Sequence, residues 1–457
     1  MTSVAVVGGG VAGMAAALDL ATAGAEVALL EAGDRLGGKV RTGSLAGVAM
    51  DVGPDSFLAR RPEAVQLCTE LGLADDLVPP AATSAGVWSR GRVRVLPAGQ
   101  VLGVPTDAVA LARSGIVSPV GAARAALEPL WPGRPLGGDE DVAVGALTGR
   151  RFGRAVAERL VDPLLGGINA GNTDSLSVDA AAPQLAAAAR RARSLVRGLR
   201  SGPAPAPGPV FLTHPGGLSV VVDALADRLG SLGVAVSRSC PVEAVEPRPG
   251  GGYRLATPGG ALEVEGVVLA APAPATARLL AAAAPRAAPP LDGVRAASVV
   301  LVGLAYRSGD APVDPVGSGF LVPRPEGRLM TACSWASAKW PHLGADGIVR
   351  LRVSAGRVDD PRAMAMDDDD VVQRLRVELA AAVGVEAEPV DVVVARWPDG
   401  FPQYAPGHLR RIAGVHAELD RVAPGLALAG AGLGGVGLPA CIGSGRAAAA
   451  RVLAALA

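Results

Sequence analysis

Six residues near the start of the chain, Gly8-Gly9-Gly10-Val11-Ala12-Gly13, carry the clearest chemical signal in the sequence. They satisfy Gly-x-Gly-x-x-Gly, a spacing that means little alone. Here an apolar run, Val4–Val7, precedes it and helical spacing over Met14–Ala23 follows it. A second apolar run, Glu26–Leu30, then ends at an acid, Glu31. In such a strand–turn–helix–strand unit the first glycine permits the tight turn. The second lets a pyrophosphate approach the backbone, and the third lets helix and strand pack closely. The helix N-terminus points free amides at the phosphates, and Glu31 is placed to accept hydrogen bonds from a ribose. A dinucleotide is expected, and FAD and NAD share the fingerprint to this point.

A second match, Gly430–Gly435, is not followed by another strand and acid. One nucleotide site is therefore expected, with no supply of electrons from NAD(P)H. With Val436, Gly437 and Leu438, this turn is expected to bring backbone against the redox ring.

The elements that must hold these residues are those of an α/β protein. After the first unit, Pro62–Leu71 has helical spacing, and Val101–Arg200 reads as a mostly helical insertion rich in alanine and arginine. The segment 201–209, SGPAPAPGP, reads as a surface linker. Beyond it come a helix at Gly217–Leu229, one strand within Val234–Val245 and a hairpin over Gly252–Val264. Strand-like runs between Ala297 and Ser354 then suggest a second, sheet-based lobe. Leu426–Ala429 and Ile442–Leu456 return as strand and helix.

Composition narrows the class. A chain of 457 residues suggests two or three lobes. Its 43 basic and 43 acidic residues cancel, which removes the surplus positive charge of a nucleic-acid binder. Any anionic ligand must then meet local cations. Cys68, Cys240, Cys333 and Cys441 are scattered, arguing against a disulfide framework or a zinc site and for a reducing compartment. His214, His342, His408 and His416 lack metal-ligand spacing, so no metal is expected. The start of the sequence has no export or organelle signal, so a cytoplasmic location is expected. Leu426–Gly443 is uncharged but rich in glycine and interrupted by Pro439, which suits strand and turn better than a membrane span.

After Glu31, the run Ala32-Gly33-Asp34-Arg35-Leu36-Gly37-Gly38-Lys39 resembles the Glu-Ala-x-x-x-x-Gly-Gly segment of glutathione-reductase-type flavoproteins of the amine oxidase branch, which favours FAD. Four further stretches are similar to signatures of the protoporphyrinogen and coproporphyrinogen oxidase family. They are Gly53-Pro54-Asp55-Ser56 through Pro62, then Leu164–Gly171, then Arg396-Trp397-Pro398 with Pro402-Gln403-Tyr404 and Gly407-His408, and finally Gly435–Pro439 with Cys441-Ile442. Thr331–Trp335 and Lys339–His342 look closest to the coproporphyrinogen-oxidising bacterial members. The resemblance runs in order from Val4 to the last helix. It departs from the family pattern at Asn169, Asn172 and Ala440.

The resemblance implies three interleaved lobes. A discontinuous FAD lobe would take residues 1–80, 205–290 and 412–457, a substrate lobe 81–100 and 291–411, and a helical lobe of membrane-facing type 101–204. It places cofactor contacts on Gly8, Gly9, Gly10, Val11, Ala12, Gly13, Glu31, Ala32, Gly38, Lys39, Gly53, Pro54, Asp55, Ser56, Val242, Trp397, Val436, Gly437 and Leu438. It places Arg61 opposite a substrate propionate and Gly167, Leu321 and Trp335 on pocket walls, with no catalytic side chain assigned. The implied activity is aromatisation of coproporphyrinogen III by oxygen: six electrons, in three two-electron cycles that each yield hydrogen peroxide. Protoporphyrinogen oxidation, amine oxidation and a non-catalytic escort role are the alternatives. Implied partners are the porphyrinogen and oxygen, with no nucleic acid. Membrane contact at the inner face of the plasma membrane, handover to other haem-synthesis enzymes, and monomer or homodimer are left open.

Overall fold

The computed structural model describes residues 2–131, 133–203, 207–311 and 317–457. Strand β1 (Ser3–Val7) is buried from Val4 onward because it has strand neighbours on both edges and helices on both faces. It pairs in parallel with β2 (Glu26–Leu30) on one side and with Gly266–Leu269 on the other. Ala235–Ser237 and Leu426–Leu428 complete a five-stranded parallel sheet. Helix α1 (Val11–Thr22) begins earlier than the sequence spacing suggested, directly on Gly10. It shares one core with the helices Ser219–Ser231 and Leu438–Leu456. The last helix can close on α1 because Gly445 has no side chain: a Cβ there would lie 2.0 Å from the Ala12 carbonyl oxygen.

The segment expected to give one strand within Val234–Val245 gives two. Ala235–Ser237 joins the parallel sheet, and Ala244–Pro247 opens a three-stranded antiparallel meander with Tyr253–Thr257 and Gly260–Val264. Pro241 lies between them and cannot donate to a ladder. The meander and the helix His408–Val422 cover the second face of the parallel sheet.

The second lobe is a seven-stranded sheet drawn from residues 86–95 and 296–402. Its strands run in the order 391–402, 296–307, 348–355, 330–335, 319–321, 86–89 and 92–95. Helix Asp368–Val383 packs its Val371, Leu375 and Leu379 on one face. Its N-terminus is capped by the Asp367 carboxylate and carries three further aspartates in the first turn, which favours the helix dipole. The opposite face turns toward the nucleotide lobe.

Residues 108–200 form several short helices around their own core, including Leu111, Phe152, Leu160, Leu185 and Leu195. Within this mostly helical insertion the chain widens into a π-helix at Ala157–Gly166. Pro163 in that stretch has no N–H to continue the ordinary ladder. Within the 201–209 linker, residues 204–206 lie outside the described residues. No described helix is long and apolar enough to cross a membrane.

Candidate active site

Gly8 takes a positive φ of 111°, and a Cβ there would meet the Ala270 carbonyl oxygen at 2.8 Å. A Cβ at Gly13 would lie 1.9 Å from the Gly8 carbonyl oxygen. Both glycines are thus required by backbone packing. Gly10 is different: a Cβ there would meet nothing within 4 Å. That open space sits at the N-cap of α1, which has no side-chain cap, so its first amides remain free for an anion. Val11 and Ala12 are buried as the first residues of the helix.

The Glu31 carboxylate accepts from the N–H groups of Gly9 at 2.6 Å and Gly33 at 2.7 Å. A carboxylate offers roughly four acceptor positions, which leaves capacity for ribose hydroxyls. Ala32 is exposed beside it. The 238–242 loop docks here through Ser239 N–H to Gly33 O and Cys240 N–H to Glu31 O, and leaves Val242 half-buried. Gly37 bridges back to the turn by donating to the Gly9 carbonyl. A Cβ on Gly38, at φ 58°, would press on Gly10 Cα at 3.1 Å. The glycine pair therefore lies against the glycine turn.

Lys39 keeps water-accessible surface, yet desolvation lowers its pKa. Crowded but accessible, it lines a cleft. Across from it the helix Leu438–Leu456 begins at Gly437, again with no side-chain cap. Val436 is half-buried, Gly437 exposed and Leu438 buried. Burial pushes the Cys441 thiol up to about 11, so it is a neutral wall residue and no thiolate nucleophile. Behind this turn the Tyr404 hydroxyl donates to Ala431 O, and His408 Nε2 lies 3.1 Å from Leu433 O. The two rings stack at 4.6 Å. These braces were not assigned from the sequence, because nothing local in it links them to residues 431–433.

A third wall is Gly53–Ser56. A Cβ on Gly53 would lie 2.2 Å from Lys39 O, so this strand end passes tightly beside the glycine pair. Trp397 Nε1 donates to Val52 O at 2.8 Å and Arg352 donates to Gly53 O at 2.6 Å. Pro54, Asp55 and Ser56 are half-buried. Asp55 engages the other lobe: it accepts from Lys339 Nζ at 2.8 Å and lies 3.4 Å from both Trp340 Nε1 and Arg352. Burial would raise its pKa, but Lys339 and Arg352 outweigh burial and hold it well below the carboxylate range. Arg352 escaped the sequence reading. The available signal was that Arg350 and Arg352 alternate with Leu351 and Val353, placing a row of cations on one sheet face.

Asp51, just upstream, is buried and accepts from Thr42 Oγ1 at 2.6 Å and from the Leu218 N–H. Burial, only partly offset by these bonds, raises its pKa to about 6. A carboxyl whose folded pKa lies above its unfolded value gives stability that is full below about pH 4 and lost as pH rises through 6. Asp51→Asn is expected to remove a slope on the order of 2 kcal/mol between pH 4 and 7. Parallel urea melts across that range check it; superimposable pH profiles for the two proteins would contradict the assignment.

Of the residues expected around the substrate, Gly167 and Leu321 are brought together. A Cβ on Gly167 would lie 3.5 Å from Leu321 Cδ2, which joins the helical lobe to the cleft-facing side of the sheet. Trp335 does not join them. It is buried on the opposite, helix-covered face, 5.5 Å from the Phe320 ring and paired with Leu351. A bulge between Met330 and Ala332 sets this register, and the buried Glu378 carboxylate accepts the Leu329 and Met330 N–H groups there. Arg61 is exposed at the start of helix Pro62–Glu70 and has no ion pair among the described residues. Of the departures, Asn172 donates to Asp359, Asn169 donates to Leu165 O, and Ala440 packs against Gly435.

A parallel nucleotide sheet joined to a mixed, mostly antiparallel sheet, with two uncapped helix ends at one cleft, defines a flavin oxidoreductase of the amine oxidase type. The model of the flavin-containing amine oxidoreductase family matches residues 11–453. The coproporphyrinogen III oxidase of Mycobacterium leprae (strain TN) is 38% identical over 96% of this chain and 96% of its own. The protoporphyrinogen oxidase of Bos taurus is 30% identical over 99% and 98%. A crystal structure from Exiguobacterium sp. 255-15, provisionally described as a protoporphyrinogen oxidase, superposes with a TM-score of 0.89 at 32% identity, covering 100% of this chain and 99% of that one. The chain belongs to the coproporphyrinogen III oxidase family. Its cofactor is FAD, and the open space over Gly10, the free amides of both helices and the spare acceptor capacity of Glu31 fit that group.

Proposed function

We propose that this chain oxidises coproporphyrinogen III to coproporphyrin III with oxygen as electron acceptor. The observation that supports this reading is the Gly167–Leu321 contact, where an exposed glycine of the helical lobe meets a half-buried leucine of the substrate sheet, as a pocket wall for an apolar macrocycle requires. The names of the relatives support the same substrate. Bound FAD supplies two-electron acceptance and reoxidation by oxygen. The chain's own part is orientation and exclusion of water. Asp55 is committed to Lys339 and Arg352, and Cys441 is protonated, so neither serves as a base. The pyrrole nitrogens can release the protons themselves.

Arg61, exposed and unpaired beside the Gly53–Arg60 segment, is assigned to a propionate. A lost charge-assisted contact corresponds to about a tenfold fall in kcat/KM. The test is an aerobic fluorescence assay offering both porphyrinogens side by side, with flavin content measured. Coproporphyrinogen III is expected to be the faster substrate and Arg61→Ala to slow it about tenfold. Preference for protoporphyrinogen IX would move the chain to the runner-up activity, and an unchanged variant would remove Arg61 from the site.

The helical lobe also supports peripheral membrane contact. Val120, Leu130 and Trp131, all within residues 120–131, are 79%, 78% and 82% exposed, large apolar side chains that a membrane surface would cover. Wild-type protein is expected to co-sediment with phosphatidylglycerol vesicles, and a Val120→Ser/Leu130→Ser/Trp131→Ser variant to stay in the supernatant with full activity. Equal sedimentation of the two proteins would overturn this contact.

A further inference from the structure

Away from the flavin cleft, two loops of the substrate lobe enclose an open cavity of about 420 Å³. The turn Arg324–Gly327 forms one side and residues 357–362 the other, so that Arg324, Arg328, Arg357 and Arg362 face Asp359 and Asp360. None of the residues assigned above to FAD or to the porphyrinogen lines it. The acids there are already engaged. Arg362 forks onto Asp360 at 2.8 and 2.6 Å, and Arg324 is shared between Asp359 and the buried Asp162. Two cations are left over. Arg328 lies over the Trp88 ring at 4.8 Å, and Arg357 donates to the Val322 carbonyl; neither has an ion pair among the described residues. The frame is fixed before any ligand arrives: Arg362 also donates to Arg328 O and Arg324 to Gly171 O, which ties both loops to each other and to the helical lobe.

We propose that this cavity is an oxyanion site in which Arg328 and Arg357 together hold a carboxylate or phosphate group. Two guanidiniums with no ion pair of their own among the described residues, on locked loops around a cavity roomier than a single ion needs, are the chemistry of oxyanion recognition. Desolvation, with repulsion from Arg324, lowers the Arg357 pKa despite the attraction of Asp162, Asp359 and Asp360, a cost that a bound anion relieves. Two sources share this chemistry. One is free phosphate. The other is a propionate of the tetrapyrrole held outside the cleft, since Val358 N–H bonds Ala170 O at 2.9 Å and so seats the cavity beside the Gly167–Asn172 segment. The propionate source rests on the proposed function, and the phosphate source does not.

Calorimetry on the FAD-loaded protein tests it, with inorganic phosphate in one titration and coproporphyrin III in another. At least one of the two is expected to bind a site whose Kd rises about tenfold in Arg328→Gln and in Arg357→Gln. A porphyrin site that phosphate displaces and the variants weaken identifies the propionate; a response to phosphate alone identifies the free anion. Arg328→Gln removes no backbone hydrogen bond, so it reports even if Arg357→Gln folds poorly. Wild-type protein that binds neither probe outside the flavin cleft, or binds with affinity unchanged in Arg328→Gln, overturns the proposal. Because the phosphate titration uses no porphyrin, its outcome is separable from failure of the oxidase reading.

Discussion

Gly10→Ala is expected to fold as the parent does and to bind FAD at least about 100-fold more weakly, roughly 2.7 kcal/mol. The two halves of this expectation come from different observations. Gly10 has ordinary extended backbone, φ −69° and ψ 168°, and its missing Cβ would point into open space, so alanine introduces neither strain nor a clash with the protein. That same space lies over the free amides of α1, where the pyrophosphate must approach the backbone for those amides to reach it. A methyl group there holds the phosphates off. Gly13→Ala is the contrasting case, because its Cβ would collide with the Gly8 carbonyl and damage the fold itself. The readouts are thermal melting of the apoprotein and FAD titration. Gly10→Ala protein that purifies yellow with parental affinity would remove the glycine turn from the cofactor site.

Arg350→Ala is expected to cost about 3 to 5 kcal/mol of stability and to release flavin at lower temperature. Arg350 is fully buried, and its guanidinium donates to Leu45 O, Ala46 O and Leu343 O and forks onto Asp346. Leu45 and Ala46 belong to the tip of the hairpin Thr42–Asp51, which leaves the nucleotide lobe and inserts against the substrate sheet. Leu45 and Met50 pack there on Gly303, where a Cβ would lie 3.1 and 2.9 Å from them. The same hairpin leads directly into Gly53–Ser56 of the cleft. Removing the guanidinium takes a donor from Leu45 O and Ala46 O, leaves Leu343 O with the Ser337 hydroxyl alone, and frees the hairpin. Arg350→Lys should fail similarly, since one ammonium cannot reproduce a planar fork. A urea-melt difference below about 1 kcal/mol for Arg350→Ala would contradict this account.

The amino acids alone determined whatever is decided within a few residues. Gly8, Gly10 and Gly13 between two apolar strands specify a dinucleotide turn because the requirements of that turn are local, and Glu31 follows from the length of the unit. The tertiary structure decided which sheet face a strand presents and which distant charges meet. Trp335 went to the rear core because one bulge, held by Glu378 from a helix more than forty residues away, sets the register, and a one-residue slip exchanges the two faces of a strand. The pairing of Asp55 with Lys339 across 284 positions was equally out of reach. An ion pair has no sequence period, and its partners are chosen only when two lobes pack and a buried charge must be neutralised.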